Sequence, residues 1–370
     1  MHLLSRFGMF ALAMALALVS ASAQAADPIK IGFSMALTGG LAPNGKSALL
    51  AMQIWEKDVN AKGGILGRPV KLIYYDDQSQ PSTVPGIYTK LLDVDKVDLV
   101  VGPYATAQIA PAMPIVMQHN LVFFGLLGLA VNDAFHYERY FQIGPNGPNP
   151  KTDFTKGLFD LALAQSPKPQ TVAIAYADQE YSHNNADGAR ETAQKAGLKI
   201  VYDRSYPPTT TDYSPIVRSI QATNPDIFLI ASYPPDSVGM VRAIRETGFT
   251  PKIVGGGMVG LQATALKMQL GPLLNGIVNF DFWLPGETMA FPGVMDLIKR
   301  YQEQAAKEGV DPLGYYMVPW AYAYLQVMAD AIEATKGLDQ DKLAKYIHAT
   351  NFKTVVGDVK FGKDGVDQPV

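Results

Sequence analysis

The sequence predicts an α/β fold in two similar halves, each a parallel sheet flanked by helices. Two observations predict it. Short apolar runs alternate with segments of helical period through most of the chain, the pattern that builds a parallel sheet with helices on its faces. The alternation is broken once, by FQIGPNGPNP at residues 141–150, and then restarts. A segment so rich in Pro, Gly and Asn reads as a crossing between domains.

The first 25 residues stand apart from that fold. Arg6 gives a positive start, and residues 9–19 form an apolar run. That run is too short for a hydrocarbon core of roughly 30 Å. Ala23-Gln24-Ala25 is a small-x-small cleavage pattern, so residues 1–25 are expected to be a signal peptide and the product periplasmic. No Cys stands there to carry a lipid. About 345 residues would remain, enough for two domains with their own cores.

The elements follow in order. Residues 29–35 (IKIGFSM) form a strand that ends at Thr38-Gly39-Gly40. Residues 46–61 place Leu49, Leu50, Met52, Ile54, Trp55 and Val59 near helical period, and Gly63-Gly64 stops the helix. A strand at 70–75 ends in Asp76-Asp77. A helix through 88–92, a strand at 98–102, a helix to His119 and a strand at 121–124 complete the first half. In the second half, strands are expected at 172–176, 199–202, 227–231, 253–255 and 277–283. Helices fall between them at 185–196, 213–223, 237–247 and 261–270. Three helices, at 293–308, 315–334 and 339–349, precede a last strand at 358–361.

Composition excludes several functions. The chain has no Cys, which removes disulfides, thiol catalysis and thiolate metal sites. Net charge is −3 with no long basic run, which argues against nucleic acid. Hydrophobic residues at 48% and charged residues at 18% are ordinary for a soluble chain. Neither a G-x-S-x-G elbow nor a P-loop occurs, and the turn after the first strand lacks G-x-G-x-x-G. His119, His136, His183 and His348 have no metal spacing, so no metal or cofactor is expected. Asp76 and Asp77 are neighbours on a strand and face opposite ways. One is expected to be buried as a structural partner and the other solvated. Tyr315, Tyr316, Tyr322 and Tyr324 are read as core.

The run Asn60 to Val70 (NAKGGILGRPV), continuing to Tyr75-Asp76-Asp77, closely resembles a signature of one family, as does SMALTG at residues 34–39. The chain resembles the leucine/isoleucine/valine-binding group of type I periplasmic binding proteins, which serve ABC transporters. The resemblance implies two Rossmann-like lobes joined by a three-strand hinge, with crossings near 144–150, 279–285 and 355–357. It places residues 26–145 and 281–355 in the N-terminal lobe, and 146–280 and 356–370 in the C-terminal lobe. It also implies about one more strand beyond Val370. No catalysis is implied. The expected partners are a small organic acid or amino acid and a membrane permease, with the protein itself a monomer.

By matching position, the ligand would meet Thr38, Gly39, Asn44, Tyr104, Thr106, Leu127 and Leu129 from one lobe, and Tyr181, Tyr233 and Met258 from the other. Two departures bear on the ligand. Amino-acid binders of this family hold the α-carboxylate partly with a Thr where this chain has Leu129. They hold the α-ammonium with a Glu where this chain has Gly257. A buried ammonium without a carboxylate is costly. An aromatic or apolar carboxylate is therefore expected. An amino acid remains the alternative if Asp178 or Asp236 replaces the Glu. A periplasmic ligand sensor is the alternative role.

Overall fold

The computed structural model describes residues 27–368; the expected signal peptide and Val370 lie outside the described residues. The N-terminal sheet is built from β1 (Ile29–Met35), β2 (Val70–Asp76), β3 (Leu99–Val100), β4 (Phe123–Leu126) and β5 (Tyr140–Ile143). β1 pairs in parallel with both β2 and β3, and β4 pairs in parallel with β5. A parallel bridge between Tyr104 and Leu126 carries the order across from β3 to β4. Helices α1 (Ala42–Ala61), α2 (Val84–Asp93), α3 (Thr106–Gln118) and the short α4 (Asn132–Phe135) lie between these strands.

The C-terminal sheet has the order β10-β9-β8-β6-β7 and is parallel throughout. Its strands are β6 (Thr171–Ala177), β7 (Lys199–Tyr206), β8 (Ile227–Ser232), β9 (Ile253–Met258) and β10 (Ile277–Asn279). Its helices are α5 (Pro150–Leu163), α6 (Glu180–Lys195), α7 (Ser214–Gln221), α8 (Pro234–Glu246) and α9 (Thr264–Leu270). β6 and β8 are buried on both faces, so they read as unbroken apolar runs (TVAIAYA, IFLIAS) rather than alternating ones.

The chain then returns to the first sheet. Helices α10 (Val294–Glu308), α11 (Val318–Thr335) and α12 (Gln340–Ala349) share one core with β1, α1 and β5. Trp55, Met52 and Tyr324 belong to it, and Tyr301 meets Ser47 hydroxyl to hydroxyl at 2.5 Å. The return runs through residues 280–285, where the sequence reading expected strand to continue to 283; β10 stops at Asn279. The first crossing is also shorter than expected, since residues 140–143 pair as β5 before the chain leaves the sheet.

Two expectations about the last segment are corrected. The third crossing, expected near 355–357, is a hairpin turn. β11 (Asn351–Thr354) pairs antiparallel with β12 (Gly357–Phe361), and Gly357 turns the chain at φ +93°. Residues 356–368 do not join the C-terminal lobe. β12 pairs with β13 (Asp367–Gln368), the Gln142 N–H donates to the Gly365 carbonyl, and Phe361 packs on Phe124 and Phe141. Burying the apolar face of the hairpin, Phe352, Val359 and Phe361, against the first sheet decides its place. Among the described residues the lobes are therefore joined by two crossings.

Candidate ligand cleft

The two lobes face each other across a narrow cleft. Its lining includes Tyr104, Ala105, Thr106, Leu127, Gly128 and Leu129 on one side, and Tyr181, Tyr233 and Val259 on the other. The crossings add Asn146, Phe280 and Phe282, and Phe154 and Tyr316 complete the lining. The space between these side chains is only about 10 Å³, the room of one water.

Several lining residues are held by strained or capping geometry. Ala105 precedes α3 at φ +81°, ψ +145°, a region that a residue with a Cβ rarely enters. Leu127, in the next loop, has φ +51°. Gln108 and Ile109 return their N–H groups to the Ala105 carbonyl. The earlier N–H groups of α3 have no helical partner and point outward, as at any helix start. The Ala107 N–H faces the Tyr233 hydroxyl from across the cleft, outside hydrogen-bonding geometry. Thr106 Oγ1 accepts the Leu129 N–H at 2.9 Å, which fixes the Leu127–Leu129 loop beside the helix start.

Four tyrosines furnish the polar surface. Burial raises the Tyr104 hydroxyl to about 12 and lifts Tyr181, Tyr233 and Tyr316 well above the ordinary range, so all four stay protonated and able to donate. Tyr104 accepts from Asn44 at 3.0 Å and meets Tyr316 at 3.3 Å. Tyr181 donates to the Gly257 carbonyl at 3.1 Å. The Tyr233 hydroxyl is buried with no partner. Phe280, Phe282, Phe154 and Tyr316 pack ring to ring around the second crossing.

The lining residues carry no charge. A Cβ added to Gly257 would sit 2.2 Å from Asn185 Nδ2 and 2.6 Å from Tyr181 Oη, so those two side-chain ends occupy the space over Gly257 and would have to move for a side chain there. Neither acid considered as a substitute reaches the cleft. Asp236 accepts from the Tyr233 N–H and the Tyr206 hydroxyl, capping α8. Asp178 pairs with His183 at 2.6 Å on the surface.

Of the residues expected from sequence, Tyr104, Thr106, Leu127, Leu129, Tyr181 and Tyr233 come together here. Asn44 stands behind Tyr104 as its hydrogen-bond donor. Thr38 is on an exposed loop tied to Asp76 at 2.7 Å, and Gly39 turns that loop at φ +80°. Met258 points into the C-terminal core, and its neighbour Val259 lines the cleft instead. Tyr316, read as core, lines it too. Phe154, Phe280, Phe282 and Asn146 were not anticipated. Phe280 and Phe282 lay in what read as a strand, and an i, i+2 aromatic pair there was the available signal.

Comparisons with known proteins agree with this architecture. A family model described as "Periplasmic binding protein" matches residues 28–368. Leu/Ile/Val-binding protein homolog 8 of Brucella suis biovar 1 is 26% identical over 369 residues, covering 96% of this chain and 90% of that protein. The leucine binding protein of Thermotoga maritima superposes with a TM-score of 0.78 at 20% identity, covering 92% of this chain and 93% of that one. A solute binding protein of an R. palustris ABC transporter, solved with 4-hydroxybenzoate, gives a TM-score of 0.77 at 19% identity, covering 92% and 90%.

Proposed function

The chain belongs to the periplasmic binding protein family, and on that premise we propose that it captures an aromatic carboxylate between its lobes and delivers it to an ABC permease. The observation that carries this reading is the uncharged cleft. Where an amino-acid binder would place a carboxylate for the α-ammonium, Gly257 is closed over by Tyr181 and Asn185. An α-ammonium brought there would be buried without a counter-charge, at a cost of several kcal/mol.

A carboxylate has partners. The start of α3 supplies outward N–H groups and the positive end of the helix dipole. The Thr106 hydroxyl accepts from Leu129 and keeps its own hydrogen to donate. The Tyr233 hydroxyl, buried and unpartnered, is a second donor opposite them. Leu127, Leu129, Phe280 and Phe282 form the wall for an apolar body, and the tyrosine rings offer stacking faces. Relatives show that the fold holds either class, since one neighbour is a leucine binding protein and another was solved with 4-hydroxybenzoate.

The cleft is too tight for any ring as it stands, so binding requires the lobes to part and close again on the ligand. Only contacts made with both lobes shift that balance. Affinity on the order of 0.1–10 μM suits such capture. Calorimetric titration with benzoate, 4-hydroxybenzoate and phenylacetate beside leucine, isoleucine, valine and phenylalanine tests the reading. The acids should bind and the amino acids should not. Micromolar binding of a free α-amino acid would overturn it.

A further inference from the structure

The second crossing carries a buried acid that the cleft does not use. Asp281 stands between Phe280 and Phe282, which line the cleft, but is not itself part of the lining. Its side chain is 14% exposed. Groups from both lobes surround it. Lys267 of α9, in the C-terminal lobe, brings its Nζ to 3.8 Å. Asp311, in the loop between α10 and α11, and Tyr316, just before α11, face it at longer range from the N-terminal lobe. The crossing itself contributes the Phe282 N–H at 3.0 Å. Burial pushes the Asp281 carboxyl up to about 6, helped by the negative charge of Asp311 and opposed by Lys267 and the N–H groups of Phe282 and Trp283.

Asp311 joins the two lobes beside it. Its Oδ1 accepts the Leu313 and Gly314 N–H groups at 3.0 and 2.9 Å, and its backbone carbonyl accepts the Tyr301 hydroxyl at 2.8 Å. Those bonds fix it to the N-terminal lobe, where Tyr301 is part of the core. Its Oδ2 accepts the N–H of Thr264, first residue of α9 in the other lobe, at 2.6 Å. Ala263, which precedes α9, has no side-chain oxygen to cap it, so the opposite lobe supplies the cap. Lys267 and Thr264 lie on one lobe, Asp311 and Tyr316 on the other. When the lobes part, α9 loses its cap, and Asp281 loses cover and gains water.

We propose that Asp281, Asp311, Lys267 and Thr264 form a proton-operated latch at the hinge, in which closing the lobes takes up a proton at Asp281 and acid therefore favours the closed form. This rests on the parting and closing of the lobes proposed above, and not on the chemistry of the ligand. A carboxyl out of water holds its proton more readily than one in water. In the open form Asp281 tends toward the ordinary 3.8, and in the closed form it stands at about 6. The advantage that protonation gives the closed form is full below 3.8 and is lost as pH rises through about 6.

Small-angle scattering of the ligand-free protein tests the latch without any ligand. The radius of gyration should fall between pH 7.5 and pH 5. Asp281→Asn, uncharged at either pH and still an acceptor for the Phe282 N–H, should be compact at pH 7.5 and unresponsive to pH. Lys267→Met removes the opposing cation, so its transition should move to higher pH than that of the wild type. A merely structural Lys267 would leave the transition in place. Glu180 on α6 is also raised by burial, so the Asn variant, and not the pH profile alone, makes the assignment. A wild-type radius of gyration that ignores pH, or an Asp281→Asn protein that responds to pH as the wild type does, overturns the proposal. Calorimetry with 4-hydroxybenzoate adds a second readout. In the wild type affinity should rise by up to about tenfold from pH 7.5 to pH 5, and in Asp281→Asn it should stay level. If 4-hydroxybenzoate fails to bind at either pH, the reading of the cleft falls while scattering still decides the latch.

Discussion

At the scale of single residues, Asp76, the last residue of β2, and Asp77, the next, show how neighbours take opposite roles. Burial alone would raise the Asp76 carboxyl, but the Thr38 hydroxyl and the N–H groups of Gln78, Leu37 and Thr38 together hold it below its usual value. Asp77 is fully buried, and burial pushes it up to about 6 against the Ser79 N–H and the Ser34 hydroxyl. A folded-state value above the unfolded one means the folded chain holds the extra proton between them. Asp77 therefore lowers stability as pH rises from near 4 through about 6. Asp77→Asn keeps an acceptor for Ser79 and removes that penalty. Its unfolding free energy relative to wild type should improve by about 2–3 kcal/mol between pH 4 and pH 7.5, read by urea melts at both values; a difference independent of pH would refute the assignment. Thr106→Ala tests a different role. It leaves the Leu129 N–H buried without its acceptor, so stability should fall by about 1–3 kcal/mol in the same melts, with ligand affinity falling as well. Lower stability with unchanged affinity would make Thr106 a loop clamp and nothing more. The alternation rule made the Asp pair legible in sequence, whereas the hydroxyl bond from Thr106 to a residue 23 positions on was not, because only the folded loop brings them together.

At the scale of elements, the parallel strands were the most legible features, since buried strands write themselves as continuous apolar runs. Their ends were less so. β5 and β11 are four residues each, too short for a period to show, and β5 opens the Pro- and Gly-rich stretch that masked it. The candidate cleft was legible through the family resemblance, which named Tyr104, Thr106, Tyr181 and Tyr233 by matching position. Along the crossings it was harder to read: the i, i+2 pair Phe280 and Phe282 was a signal hidden in an expected strand, and Asn146 carried none. Helix contacts carry their own signature in glycine. On α6, a Cβ at Gly188 would lie 2.0 Å from the Lys151 carbonyl oxygen of α5. Gly188→Ala must push the two helices apart, and it should cost about 1–3 kcal/mol in thermal or chemical unfolding. The opposite sign is expected at the start of α3. Ala105→Gly relaxes a backbone conformation that costs on the order of 1–3 kcal/mol, offset by about 0.5–1 kcal/mol of added chain entropy. A modest rise in melting temperature is the expected outcome, and a fall would show that the Ala105 methyl group contributes more by packing than its backbone loses.

At the scale of the whole molecule, the lobes are joined by two irregular crossings, and polar contacts also tie them together. The Thr264 N–H on α9 donates to Asp311 at 2.6 Å, and at the cleft Asn184 on α6 donates to the Leu129 carbonyl at 2.8 Å. Leu129 is the same residue whose N–H is held by Thr106, so this bond ties the C-terminal lobe to the loop that borders the candidate cleft. It exists only while the lobes are together, which gives it a directional effect. Removing it leaves each lobe intact and weakens the closed form alone. Asn184→Ala should therefore shift the balance toward the open form by about fivefold, the equivalent of one net hydrogen bond of about 1 kcal/mol. Small-angle scattering of the ligand-free variant should give a larger radius of gyration than the wild type, and saturating ligand should bring both to the same compact value. Affinity should fall by the same factor as the closed fraction, while the melting temperature of the ligand-free protein changes little. A variant as compact as wild type without ligand would mean that this bond does not govern closure. A wild type that fails to compact on saturation would remove the hinge itself from the mechanism.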